Sequence, residues 1–197
     1  SMSGSREKAW GKEKKFREGQ KEQVLDDLFF EYIKLAERLK PKIVLAENVK
    51  GLILGNAKKY VKQIKSEFER IGYKVQLFLL NAATMGVPQR RERVFFICQR
   101  EDMGFKKLEL NFDEKPIMFG KLEKSKEKKV YLSESMEKYW TWCLKNKEAD
   151  FGKYGELTEG RRKNFNHRLL FDNKVCDTIA ANCQITVEKE PRYITDF

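Results

Sequence analysis

Glu47 stands at the end of the apolar run Ile43-Val44-Leu45-Ala46, the pattern of a short strand buried on both faces of a parallel sheet. Open α/β sheets set their ligand sites at the carboxyl ends of strands, so a carboxyl group here is placed where proton chemistry is done. Partly desolvated, it would hold a proton more tightly than a free glutamate and could donate it, or a strong hydrogen bond, near neutral pH. The plain alternative is a solvated residue that ends a strand. Further on, Asn81, Gly86 and Pro88 lead into the cluster Gln89-Arg90-Arg91-Glu92-Arg93. Arg91 and Arg93, entering a strand at alternate positions, would point to one side of it. Guanidinium forks suit phosphate or carbonyl oxygens in a way an ammonium does not. Here the plain alternative is a basic surface loop.

Taken together, Ala46-Glu47-Asn48-Val49 and Asn81-x4-Gly86-Val-Pro88-Gln89-Arg-Arg91-Glu-Arg93 resemble the cytosine-5 DNA methyltransferase family. The first matches its Glu-Asn-Val motif and the second its Gln-x-Arg-x-Arg motif with the preceding loop. Ser1-Met2-Ser3-Gly4 is similar to the tail of the family's Pro-Cys-x-x-Phe-Ser-x-x-Gly nucleophile loop, Leu28-Phe29-Phe30 opens the next helix, and Arg168 and Thr178 resemble a later Arg/Thr motif.

The resemblance implies a Rossmann-like methyltransferase sheet and methyl transfer from S-adenosylmethionine to carbon 5 of a cytosine flipped out of duplex DNA. Carbon 6 of cytosine accepts a thiolate only when electron density is drawn away through N3. By resemblance Glu47 does this, Arg93 holds the base O2 and Arg91 lies beside the reacting carbon. Asn48, Val49 and Gln89 would shape the base pocket. Ser1, Ser3, Gly4, Arg168 and Thr178 would contact DNA, and Leu28 the cofactor.

The nucleophilic Pro-Cys and a Gly-rich cofactor turn are not found in the sequence. The cysteines Cys98, Cys143, Cys176 and Cys183 do not substitute by position, and Cys98 falls inside an apolar strand. The chain is therefore expected to be a fragment of a methyltransferase that does not turn over alone. The alternatives are one chain of a split enzyme, docked through an open sheet edge to a complementary chain or to a missing N-terminal segment, and a non-catalytic DNA-binding module.

The elements needed to hold these groups are visible in the spacing of apolar residues. Leu25, Leu28, Phe29, Tyr32, Ile33, Ala36 and Leu39 mark a helix over 24–39 that stops before Pro41. Tyr60, Val61, Ile64, Phe68 and Ile71 mark a second over 57–71, ended by Gly72. Val75, Leu77 and Leu79 alternate as a strand, and Val94 to Cys98 form another. The expected domains are a mobile basic loop (1–23), a partial catalytic α/β domain (24–101) and a small, mostly β target-recognition domain (102–197) whose last part reads as strands and turns. Trp140 and Trp142 are expected to pack that domain, and His167 to lie at its surface or beside a phosphate. The single histidine rules out a multi-histidine metal centre.

Composition agrees with this reading. In 197 residues the formal charge is +11, which favours a polyanionic partner, nucleic acid or an anionic membrane surface by charge alone and double-stranded DNA by the resemblance. No run reaches the ~18 apolar residues of a membrane span. Cysteines without a CxxC pair suggest a reducing compartment, and the family suggests a cytoplasmic, nucleoid-associated protein of bacterial restriction-modification.

Overall fold

The computed structural model describes residues 28–55, 57–122, 129–164, 166–179 and 183–194. The chain divides into two compact units. One holds the described residues up to Asn81 together with Glu92–Asn111, and the other holds Ala82–Arg91 and the residues from Phe112 onward.

The first unit contains helix α1 (Leu28–Leu39), strand β1 (Ile43–Val49), a short turn of helix (Lys50–Ile53), α2 (Ala57–Arg70), β2 (Tyr73–Asn81) and β4 (Glu92–Arg100). The strand order is β1-β4-β2, and β4 is antiparallel to both neighbours. The expected parallel sheet is thus corrected: β1 and β2 run the same way but are separated by the reversed β4. The reading of Ile43–Ala46 as buried on both faces changes with it, because antiparallel sheets can leave one face to water. Val44 is buried, whereas Ile43 and Leu45 are 50% and 57% exposed.

Both helices cover the other face. Directly opposed residues share a face, which aligns Val44 and Val75 with Cys98, and Ala46 with Phe96. Against them pack Phe29, Ile33 and Ala36 of α1 and Tyr60, Ile64 and Phe68 of α2. The Phe29 ring meets those of Phe96 and Phe68 edge-on, at centroid distances of 5.2 and 6.4 Å. Each such pair adds about 0.5–1.5 kcal/mol to the area it buries.

The second unit contains β3 (Gln89–Arg90), β5 (Val130–Tyr131), α3 (Glu134–Asn146), α4 (Phe151–Thr158), β6 (His167–Leu170), β7 (Cys176–Asp177), β8 (Gln184–Val187) and β9 (Arg192–Ile194). Its four-stranded sheet has the order β5-β9-β8-β6, and β3 pairs in parallel with β7. Two helices thus accompany the strands expected in this part of the chain. Successive strand residues face opposite ways, and β6 uses this to join two cores. Leu169 enters the cluster of Tyr139, Cys143 and Phe151, while Leu170 enters that of Phe119, Ile185 and Val187. Trp140 packs here as expected, its indole N–H donating to the Val187 carbonyl at 2.8 Å.

Candidate active site and nucleic-acid contacts

β1 does not end at Glu47 but runs through the Glu-Asn-Val segment to Val49. Alternation puts Glu47 on the face without helices, where it lies opposite Phe95, and Val49 lies opposite Arg93. The diagonal between those pairs brings Arg93 Nε to 2.8 Å from Glu47 Oε1. The Arg93 side chain is 21% exposed and that of Glu47 49%. The carboxyl group is therefore half in water and not desolvated as expected, because no helix covers this face. Arg93 Nη1 donates to the carbonyl of Glu92 at 2.8 Å, which fixes the guanidinium plane. One neighbour escaped the sequence reading. Lys50, just past β1, reaches Glu92 Oε2 at 2.8 Å and ties the end of β1 to the start of β4. The two residues lie 42 positions apart, so only the antiparallel register reveals the pair.

Asn48 lies opposite Val94 on the helix-covered face, and its side-chain oxygen accepts from the Val49 amide at 2.8 Å. Leu28, at the first turn of α1, is 51% exposed.

In the second unit, Gln89 and Arg90 pair with Cys176 and Asp177. Arg91 falls in the break between β3 and β4, so the continuous strand on which a common side for Arg91 and Arg93 depended is absent. Its carbonyl accepts from the Ala82 amide at 3.0 Å and its side chain is exposed. Thr178 donates its hydroxyl to the Arg90 carbonyl at 2.8 Å, and the Arg90 guanidinium faces Asp177 at 3.8 Å. Thr178 thus fastens the arginine-bearing segment to β7. Arg168 lies on β6, its carbonyl accepting from the Thr186 hydroxyl at 3.1 Å. Ser1, Ser3 and Gly4 lie outside the described residues, as does the basic loop of residues 1–23.

His167 is packed, contrary to the expected surface position. Its ring stacks on Phe151 at 5.8 Å and meets Tyr193 at 6.0 Å, and its buried Nδ1 has no hydrogen-bond partner. Burial lowers its pKa. Burial also pushes the thiols of Cys98 and Cys143 up to about 12 and that of Cys176 to about 11, so none of the three is a thiolate near neutral pH.

Leu28 by itself does not make a site for S-adenosylmethionine. Leu28 is a single half-exposed apolar side chain, offering nothing to the charged and hydroxylated parts of that molecule. Nor do the described residues contain a group of three or more His, Cys, Asp or Glu able to hold a metal ion. Among them no helix is long and apolar enough to cross a membrane.

The comparisons with known proteins agree with the geometry. The family model for C-5 cytosine-specific DNA methylase matches residues 9–190. The type II methyltransferase M.FnuDI of Fusobacterium nucleatum is 40% identical over 119 residues, which is 60% of this chain and 30% of that protein. M.NgoFVII, a type II methyltransferase of Neisseria gonorrhoeae, is 46% identical over 79 residues, 40% of this chain and 21% of its own length. The chain therefore spans less than a third of these relatives. Among solved structures, a DNA modification methyltransferase encoded within an E. coli prophage superposes with a TM-score of 0.53 at 17% identity, covering 86% of this chain and 60% of the other. That likeness is one of fold, the Rossmann-like methyltransferase fold expected from the motifs. With a family match over nearly its whole length and the motif residues Glu47 and Arg93 joined on one sheet face, the chain belongs to the C-5 cytosine-specific DNA methylase family.

Proposed function

We propose that this chain supplies the base-holding part of a DNA (cytosine-5)-methyltransferase, and that its second unit serves as the target-recognition domain on duplex DNA. The observation that carries the reading is the contact between Glu47 and Arg93 at 2.8 Å on the uncovered sheet face. A carboxyl group and a guanidinium side by side match two neighbouring positions on the edge of cytosine: the carboxyl group meets the ring atom N3 and the guanidinium donates to the exocyclic oxygen O2. When the protonated Glu47 carboxyl group donates its proton to the N3 lone pair, becoming the carboxylate that Arg93 faces, the ring gains positive charge and carbon 6 becomes open to a nucleophile. Arg93, held by the Glu92 carbonyl, keeps the base in the plane of that carboxyl group. Lys50 and Glu92 hold the strand ends that set this distance. A base reaches these groups only when extruded from the stack. Asn48 and Val49 shape the strand end beneath it. On the second unit, Gln89 and Arg91 keep the roles the family motif implies for them, on the segment that Thr178 fastens, and Arg168 serves the DNA backbone. The methyl donor of this family chemistry, S-adenosylmethionine, is assigned no residue here beyond Leu28. A cytoplasmic setting follows from the same reading.

The test uses a duplex in which the nucleotide opposite an abasic site is either cytosine or thymine, so that little unpairing energy is spent. Fluorescence anisotropy is expected to show tighter binding to the cytosine duplex. Base-edge recognition worth ~1–3 kcal/mol corresponds to a preference of about 5- to 150-fold. Glu47→Ala is expected to erase it. Equal binding to both duplexes overturns the base-holding assignment and leaves a non-catalytic DNA-binding module. A split enzyme is a second reading, favoured by β1 lying at the edge of its sheet with Ile43 and Leu45 exposed. Sedimentation of the native protein as a hetero-complex, against a single-chain peak, decides between one chain and two.

A further inference from the structure

The turn that follows α4 is held far more firmly than a solvated loop requires. Its sequence is Glu159-Gly160-Arg161-Arg162-Lys163. The amides of Glu159 and Arg161 both donate to the carbonyl of Gly155, at 3.1 and 3.0 Å. Gly160 takes φ +65°, in the left-handed region that favours glycine. The returning chain lies so close to α4 that a Cβ at Gly155 would sit 2.6 Å from the Arg161 carbonyl oxygen. Any larger residue there would push the turn away.

Side chains lock the same turn from within. Asp150, 7% exposed, caps α4 by accepting from the Gly152 amide at 2.9 Å and binds the Arg162 guanidinium with its other oxygen. Glu156 holds a second nitrogen of Arg162 at 3.1 Å. Arg162 therefore braces the turn, its charge met by two carboxylates, although its side chain is 42% exposed. Lys163 and Lys138 share Glu159, at 2.6 and 3.4 Å, so that carboxylate serves two cations. Arg161 is different: among the described residues its exposed guanidinium has no carboxylate partner. A backbone fixed on both sides presents one unpaired guanidinium outward, flanked by ammonium groups that outnumber their counter-charge.

The geometry points to this turn as a phosphate-backbone contact for duplex DNA, with Arg161 as the contacting residue and Arg162, Asp150 and Gly155 as positioning residues. The assignment rests on the DNA-binding reading above. The backbone that carries Arg161 is already ordered when a phosphate arrives, and the planar fork of the guanidinium donates to two phosphate oxygens at once. Phosphate contacts set register and carry no sequence information, so Arg161 contributes equally on every duplex.

The test measures affinity for two unrelated duplexes of equal length by fluorescence anisotropy across a range of salt concentrations, using the full chain. Arg161→Ala and Arg161→Gln are each expected to weaken binding to both duplexes alike, about tenfold for one lost charge-assisted contact. The slope of log K against log salt should fall by about 0.9, the value for one phosphate. Arg161→Lys should keep the slope, and the thermal midpoint should not move in any of the three. Arg162→Ala should lower the thermal midpoint instead. If the wild-type chain binds with salt dependence and both Arg161→Ala and Arg161→Gln leave slope and affinity unchanged, the contact is overturned while the DNA reading stands. If the wild-type chain shows no salt-dependent binding to any duplex, the DNA reading fails and the contact fails with it.

Discussion

Glu47 and Arg93 illustrate why a half-exposed ion pair is read better as recognition than as stability. Exposed pairs are worth ~0.2–1 kcal/mol, since water screens them and two long side chains lose freedom. Glu47→Gln is therefore expected to leave the thermal midpoint nearly unchanged while removing the preference for cytosine, and differential scanning fluorimetry beside the binding assay checks both. The cysteines give a second expectation at this scale. Buried thiols pushed up to about 11–12 do not attack a pyrimidine. Exposing the chain to duplex DNA with 5-fluorocytosine should give no covalent adduct at Cys98, Cys143 or Cys176, and a mass-mapped adduct on any of the three would contradict this. The types and spacing of Glu47 and Arg93 were legible in the sequence because a motif fixes both. Lys50 was not, because its partner Glu92 is brought to it only by pairing β1 with β4.

At the scale of elements, the central strand β4 carries the first unit. Phe96 is fully buried between the strands and the helices, so Phe96→Ala is expected to cost ~3–5 kcal/mol, enough to unfold a marginal domain. Chemical denaturation monitored by circular dichroism reads that loss. Helix spacing and apolar runs sufficed to place α1, α2 and the strands, since both report burial of a face. They do not report strand order, and a run such as Ile43–Ala46 reads alike whether its second face is covered or wet. An apolar run alone therefore suits a parallel sheet as well as the antiparallel one that β4 forms. The helix α3 did leave a signal: Met136, Tyr139, Trp140, Cys143 and Leu144 recur at helical spacing and all enter one cluster. Lysine and glutamate between them masked it. Segments such as β3 and β7 are two residues long and rest on partners distant in the chain, as with Thr178 and Arg90, 88 positions apart. Thr178→Val should loosen this fastening, and hydrogen exchange at the Gln89 and Arg90 amides should quicken while the helices stay protected.

For the molecule as a whole, charge and pH decide behaviour. A net +11 favours a polyanion, and the salt dependence of binding is its measure. His167 gives the second unit a pH-dependent contribution to stability. Its pKa is lowered because burial between Phe151 and Tyr193 disfavours the imidazolium. The unfolded chain therefore binds the proton more readily than the folded one. Stability is greatest above the ordinary histidine value of ~6.5 and declines as pH falls below it, until the lowered folded-state value is passed. The thermal midpoint, followed by tryptophan fluorescence, should drop between pH 7.5 and 5.5, and His167→Leu should flatten that dependence.

The central claim is that the Glu47 carboxyl group meets N3 of an extruded cytosine while Arg93 holds O2. It is tested most directly by nuclear magnetic resonance of deoxycytidine monophosphate labelled with nitrogen-15 at N3, titrated with the chain. A large upfield displacement of the N3 resonance on binding, abolished by Glu47→Gln, is the predicted result. An N3 resonance that stays at its free position when the nucleotide is saturated with protein would contradict it.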